Sequence, residues 1–227
     1  MGYGEVGQQN IPQSNYYFKR YNVSAPNSGA TYPFGDIYYV LGKPEGYNET
    51  LKWETVTSYN IGLDYGFLDN KFSGAIDVYK NVTTDLSAIV AQGALQNFST
   101  QGPANIGEVV SKGFEFALNY NAISNEKSRL NFNFNAAYND REITSLDENE
   151  YFVGSVGLDL NTQILKEGLA PNTFWLYQQI YDAQGMPIEG AYVDRNGDGA
   201  VDSSDKYAFH KPAADWTFGF MTNYNYN

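Results

Sequence analysis

The chain has 227 residues, a formal net charge of -12, one histidine and no cysteine. Thiol chemistry is therefore excluded, and a duplex nucleic acid would be repelled over most of so acidic a surface. Aromatic residues make up 16% of the chain, with 20 Tyr and 14 Phe, which is unusual for a soluble globule and points to a surface rich in aromatics.

In chain order, Tyr3 to Gly7 resembles the tail of a strand entering a Gly-, Pro-, Asn- and Tyr-rich loop over 8–51. A strand follows over 55–67. Its odd positions (Thr55, Thr57, Tyr59, Ile61, Leu63, Tyr65, Phe67) are mostly apolar or aromatic, and the even ones (Val56, Ser58, Asn60, Gly62, Asp64, Gly66) are nearly all small or polar. A period of two is the mark of a strand whose faces meet different media. The turn residues Leu68-Asp69-Asn70-Lys71 return the chain as a second strand over 72–84, with Phe72, Gly74, Ile76 and Val78 opposing Ser73, Ala75, Asp77 and Asn81.

A polar loop over 86–107 leads to a strand over 108–122, where Phe114, Phe116, Leu118 and Tyr120 share a face. A short turn at Ser124-Asn125-Glu126 leads to another over 129–143, with Leu130, Phe132, Phe134, Ala136 and Tyr138 opposing Asn131, Asn133, Asn135 and Asn139. The alternation weakens over 144–212, a large loop expected to carry its own small hairpin. It resumes over 215–226, where Trp216, Phe218, Phe220, Tyr224 and Tyr226 share a face.

Mean hydropathy is -0.46, and no run approaches the ~20 apolar residues of a membrane-spanning helix. A β-barrel escapes that test, because its strands need only about 9–11 residues with every second one apolar. Connections alternate between long and short, as in outer-membrane barrels with brief periplasmic turns and extended extracellular loops. Tyrosines near strand ends suit an interfacial aromatic girdle. The fold expected is all-β: an antiparallel meander of long strands, part of a large transmembrane β-barrel with long extracellular loops. Tyr59, Ile61, Leu63 and Tyr65 then face lipid, and Asn60 and Asp64 the lumen. Residues 1–10 show no basic n-region and no apolar h-region, so the chain is expected to be cytosolic or a piece of something longer.

Several segments, in order, resemble the SusC/RagA family of TonB-linked outer-membrane transporters. They are YPFGDIYY and KPEGYNETLKWE within 32–54, SYNIGLDYGFLDNKFSGAIDVYKNVTTDL from Ser58, NIGEVVSKGFEFALNY at 105–120, FNFNAAYNDREITSL from Phe132, and DRNGDGAVDSSDK followed by DWTFGF. The resemblance implies a 22-stranded barrel filled by an N-terminal plug in the bacterial outer membrane. It also implies a SusD-like surface lipoprotein as partner, and uptake of oligosaccharides or peptides with energy delivered through TonB. The stretch matches an internal portion of such a barrel, so the plug and the TonB-contacting box are expected in a part it does not include.

One motif carries local chemistry. Counting from Asp194, side-chain oxygens of Asp194, Asn196, Asp198, Asp202 and Asp205 fall at positions 1, 3, 5, 9 and 12 of an EF-hand-like loop, with Gly199 at the sharp turn. These and the Ala200 carbonyl form a hard-oxygen set suited to Ca2+. Asp205 stands where an EF-hand has a bidentate Glu. The alternative is an acidic turn held by Asx hydrogen bonds without an ion.

Among the loop aromatics, Tyr38, Tyr39, Trp175 and Tyr177 are expected to stack on a sugar or to pack against loops or the lipoprotein partner. His210 stands alone beside Lys211-Pro212, and the lumen carboxylates Asp64, Asp77 and Glu115 have no spacing that marks a catalytic pair, so no enzymatic activity is expected. The competing function is a calcium-stabilised cell-surface β-module for glycan binding or adhesion.

Overall fold

The structure, a computed structural model, describes residues 1–8, 17–23, 31–40, 42–91, 93, 101–147, 150–156 and 159–226. In chain order its strands are β1 (Gly2–Gln8), β2 (Tyr21–Val23), β3 (Thr31–Phe34), β4 (Ile37–Val40), β5 (Gly42–Pro44), β6 (Glu54–Phe67), β7 (Phe72–Thr84), β8 (Ser87–Ala91) and β9 (Gln101–Asn105). They continue as β10 (Gly107–Ser124), β11 (Ser128–Leu146), β12 (Glu150–Val156), β13 (Asp159–Lys166), β14 (Thr173–Leu176), β15 (Gln179–Tyr181), β16 (Pro187–Tyr192), β17 (Tyr207–Ala208) and β18 (Trp216–Tyr226). A single 3-10 turn, Ser203–Asp205, is the one helical element among the described residues. The long strands hydrogen-bond in the order β1-β6-β7-β10-β11-β18, a meander in which β1 and β18 are the edges.

The chain divides into two compact units. The first comprises Met1–Gly4, Ser58–Val82 and Val109–Asn227 and holds the two-faced strands. The β11–β18 register pairs Phe134 with Phe220, Ala136 with Phe218 and Tyr138 with Trp216 on one face, and Asn131 with Asn223, Asn133 with Met221 and Ala137 with Thr217 on the other. The apolar face is not a core: Ile61 is 61% exposed, Leu63 64% and Phe218 67%. A soluble sandwich would cover that face with a second layer; a barrel wall presents it to hydrocarbon.

Side-chain burial in this unit centres instead on Ile143 near the end of β11 and Ile164 in β13, and the Ile143 backbone pairs with Gly168 and Leu169 of the 144–212 region. That region thus folds into its own four-stranded sheet and the β15–β16 hairpin, more structure than the single small hairpin expected. Gln179 ties the β15–β16 hairpin together: its amide nitrogen donates to the carbonyls of Ile180 (2.9 Å), Ile188 (2.7 Å) and Ala191 (3.2 Å).

The short turns match their residues. Leu68, Asp69 and Asn70 all have positive φ (53°, 54° and 62°), and the Lys71 amide donates to the Leu68 carbonyl at 3.0 Å. At the other turn the Asn125 side-chain oxygen accepts from the amides of Lys127 (3.0 Å) and Ser128 (2.8 Å), an Asx turn that closes β10 onto β11.

The second unit, Glu5–Thr57 and Thr83–Glu108, contains the hairpins β3–β4 and β8–β9 and the β2–β5 pair. Its small interior is formed by Pro103 and Ile106. Asn105 latches it: its amide nitrogen donates to the carbonyls of Asp85 (2.7 Å) and Lys52 (3.0 Å), and its oxygen accepts from the Lys52 amide at 2.9 Å. The Glu54 carboxylate accepts from both the amide (2.9 Å) and the hydroxyl (3.0 Å) of Ser87. The stretches of the expected loops at 9–16, 24–30, 41, 92, 94–100, 148–149 and 157–158 lie outside the described residues.

Candidate functional site: a two-faced wall and its acidic loop

Within the first unit the apolar face is ordered into aromatic tiers. Near the short turns, Phe72 stacks on Tyr120 at 4.5 Å, Tyr120 on Phe132 at 6.2 Å and Phe132 on Phe220 at 6.1 Å, one ring from each of β7, β10, β11 and β18. A middle tier runs Phe116–Phe134–Phe218. At the far end Phe114 and Tyr138 flank Trp216 at 5.4 and 5.1 Å. Cross-strand aromatic pairs stabilise a sheet, and rows of rings at successive heights are what an interfacial girdle and a lipid-facing belt require.

A hydroxyl on that face needs a partner of its own, since hydrocarbon supplies none. Tyr65 donates to the Ala117 carbonyl at 3.0 Å. The opposite face is polar and neutral for the most part. There Ser111 and Tyr79 both donate to the Asn139 side-chain oxygen, at 2.8 and 3.2 Å. Asp77, Glu115, Asn135 and Thr217 line a recess of 310 Å3 with Ala75, Ala117 and Ala137. Asp77 and Glu115 share this recess, and Asp64 is not among its lining residues.

The acidic loop is closed by its own hydrogen bonds. Asp194 accepts from the amides of Gly197 (2.6 Å) and Gly199 (2.8 Å), Asn196 from that of Asp198 (2.9 Å), and Asp198 from that of Ala200 (2.9 Å). Gly197 and Gly199 have φ of 75° and 88°, a region that glycine enters without strain. Asp202 caps the 3-10 turn by accepting from the Ser204 amide, and Asp205 returns the contact to the Asp202 amide. Asp205 is fully buried, and its other oxygen accepts from the amides of Arg195 (2.7 Å) and Asn196 (3.3 Å). Asp205, in place of the EF-hand Glu, thus accepts from three backbone amides. Among the described residues no three acidic, His or Cys side chains converge tightly enough to hold a metal ion; the Asn196 oxygen and the Ala200 carbonyl are the further oxygens of the expected set.

The Asp202 amide foremost, with those of Arg195 and Asn196, holds the Asp205 carboxyl below the ordinary carboxylate value, against its burial. The Ser204 hydroxyl and amide do the same for Asp202. A carboxylate whose folded pKa is depressed stabilises the loop above its unfolded value of about 4 and loses that effect as pH falls through the folded value. Acidification below about pH 4 is therefore expected to open the loop, and Asp205→Asn to open it at neutral pH. Hydrogen exchange at the amides of Arg195, Asn196 and Asp202 in the full-length protein should then accelerate ~10-fold or more. Unchanged protection in the Asn variant would show that charge is irrelevant there.

Of the four loop aromatics expected to contact a ligand or partner, two lie in each unit. Tyr38 and Tyr39 lie on β4 in the second unit and are 69% and 53% exposed. As neighbours on a strand they point to opposite faces. Trp175 and Tyr177 lie in the first unit and are half-buried. The Lys166 ammonium sits 5.7 Å over the Trp175 ring and that of Lys206 5.1 Å over Tyr177, which also meets Tyr192 at 5.3 Å. Arg195 in the loop lies over Tyr207 of β17 at 4.5 Å and is hydrogen-bonded to Gln178 at 2.8 Å, which docks the acidic loop onto its sheet.

An ion cluster joins residues far apart in sequence. Lys211 pairs with Asp140 at 3.4 Å and with Asp215, and Lys112 reaches Asp140 at 3.5 Å. Asp215 foremost, then Asp140, holds the Lys211 ammonium above its ordinary pKa, against its burial. Beside it, an open recess of 720 Å3 is lined by Arg141, Glu142, Thr173, Phe209 and His210 among others. His210 meets Phe209 ring to ring at 4.1 Å and has no triad partner in the hydrogen bonds of the described residues.

The family model described as TonB dependent receptor-like, β-barrel, matches residues 7–227. The chain is 41% identical over 234 residues to TonB-dependent receptor SusC of Bacteroides thetaiotaomicron, covering 100% of this chain and 23% of that one. It is 29% identical over 219 residues to TonB-dependent receptor P3 of Formosa agariphila, covering 85% and 22%. Among solved structures it superposes on the RagAB peptide transporter with a TM-score of 0.75 at 20% identity, covering 99% of this chain and 24% of that one. The "open-open" state of the RagAB peptide importer gives 0.74 at 18% identity, with the same coverage. The chain thus spans about a quarter of the length of these relatives, which are named as receptors and transporters.

Proposed function

The chain belongs to the TonB-dependent receptor-like β-barrel family of the bacterial outer membrane, and from that premise we infer that it forms part of the wall of a SusC-like importer. The importer takes up oligosaccharides or peptides with energy delivered through TonB, and works with a SusD-like surface lipoprotein. The observation that carries this reading is the sheet with aromatic tiers on one face and neutral amides on the other: Asn131, Asn133 and Asn223 face away from Phe132, Phe134 and Phe220. Amides without net charge suit a cargo of hydroxyls or peptide bonds, because they donate and accept without demanding a counter-charge. RagAB is a peptide importer, which supports peptides as one cargo class.

Growth tests the inference. A strain lacking the full-length gene should fail on a supply of oligosaccharides or oligopeptides that its parent uses. The parent should fail likewise once TonB is removed. Growth independent of TonB would overturn it. The rival reading is a calcium-stabilised cell-surface β-module for glycan binding or adhesion.

For that loop the proposal is Ca2+ held by Asp194, Asn196, Asp198, the Ala200 carbonyl, Asp202 and Asp205, stiffening an extracellular segment. Supporting it is the spacing of these oxygens along the loop. Binding requires the carboxylates of Asp194, Asp198 and Asp202 to converge further than they do in their hydrogen-bonded arrangement. Titration calorimetry on the full-length protein should show heat on adding Ca2+. Its absence at millimolar Ca2+ would leave the loop as a self-capped acidic turn.

A further inference from the structure

The β3–β4 hairpin carries a surface that neither the lipid belt nor the polar wall explains. Directly paired positions of an antiparallel hairpin share a face. The pairs Tyr32–Tyr39 and Phe34–Ile37 therefore set four apolar side chains together, exposed by 58%, 53%, 72% and 60% respectively. Pro33 and Tyr38 form the reverse face. The hairpin belongs to no larger sheet among the described residues, and an isolated two-stranded hairpin is marginal in water unless another surface packs on it.

The chemistry of the face selects its occupant. Asp36, at the Gly35-Asp36 tip, is the one charged side chain between 31 and 40. Phe34 and Ile37 have no polar atom to offer a sugar hydroxyl, and the hydroxyls of Tyr32 and Tyr39 lie at the other end of the face. An aromatic, charge-depleted centre with a polar rim is the composition of a protein–protein contact core. At roughly 150–250 Å2 per aromatic side chain, the four exposed side chains offer about 500 Å2. That exceeds half of the ~800 Å2 that each partner contributes to a standard interface.

We propose that this hairpin is a docking element for the importer's protein partner, with Phe34 and Ile37 at the centre of the contact. The inference rests on the two-component reading above. In the full-length transporter co-expressed with its lipoprotein, Phe34→Ser combined with Ile37→Ser should lower the lipoprotein recovered on the tagged transporter by about 10-fold or more. Val40→Ser, on the reverse face with its partner Thr31, should leave recovery unchanged, and all variants should yield as much folded barrel as the parent. Full recovery with the double variant overturns the proposal. So does a loss of folded barrel, which would place the face against the transporter's own loops. Reduced uptake with the lipoprotein fully retained overturns it as well, by giving the face to cargo. If the unmodified transporter retains no lipoprotein, the two-component reading falls first and this proposal with it.

Discussion

Phe134→Arg in the full-length barrel is expected to cost about 2–4 kcal/mol of unfolding free energy in a bilayer, the range for a cation near the midplane on a lipid face. Phe134 stands in the middle tier, between Phe116 at 6.3 Å and Phe218 at 6.4 Å, with a further tier on either side along the strands. An arginine there is too far from either interface to extend its guanidinium fully into water, and the ring contacts are lost with it. Its neighbour Asn133 points to the opposite face, paired with Met221, so Asn133→Arg at nearly the same depth should change stability by less than about 1 kcal/mol. Denaturant unfolding of the reconstituted protein measures both. Equal costs at the two positions would remove the distinction between lipid and lumen on which the assignment of faces depends.

That distinction was legible in the chain because a period of two survives wherever each face meets one medium. The strand expected over 72–84 is β7 (Phe72–Thr84), and that over 55–67 is β6 (Glu54–Phe67). β10 and β11 run to Gly107–Ser124 and Ser128–Leu146, past the expected 108–122 and 129–143. Their ends lie beyond the aromatic tiers, where backbone pairing continues after side-chain alternation has ceased to be informative. The loops were less legible for the same reason. β3, β4, β14 and β17 are two to four residues long, too short to show a period, and β14 and β17 are ordered by pairing with each other across some thirty residues of sequence.

The candidate sites divide along the same line. Ligand-type spacing in the 194–205 loop is a local property and can be read directly. The engagement of its carboxylates with amides depends on backbone torsions, and the docking of Arg195 on Tyr207 depends on tertiary placement. Tyr38 and Tyr39 are adjacent in the sequence. Once the stretch is a strand, alternation separates them, and Tyr39 joins Tyr32 instead. The Lys211–Asp140 pair spans 71 positions, and no spacing rule connects residues so far apart.

The second large effect is expected at Gly74. The Tyr65 ring on β6 lies across this glycine on β7, and its hydroxyl reaches the Ala117 carbonyl on β10. A methyl at position 74 would overlap that carbonyl oxygen and stand 2.6 and 2.8 Å from the Tyr65 hydroxyl oxygen and the ring carbon that bears it. Either the ring leaves, exposing a hydroxyl to lipid, or the strands separate locally. Overpacking costs roughly 1–3 kcal/mol and a lost hydrogen bond within a bilayer about 0.6–2 kcal/mol, so Gly74→Ala should destabilise the barrel by about 2–4 kcal/mol. Tyr65→Phe, which keeps the ring and removes only the bond, should cost about 1 kcal/mol. The decisive measurement is the double variant Gly74→Ala with Tyr65→Ala. If ring and methyl compete for one space, removing the ring relieves part of the strain, and the pair should cost at least ~1 kcal/mol less than the sum of the single changes. Additivity within about 0.3 kcal/mol would mean that the two residues act independently, and that the glycine is required for its close approach to the Ala117 carbonyl alone.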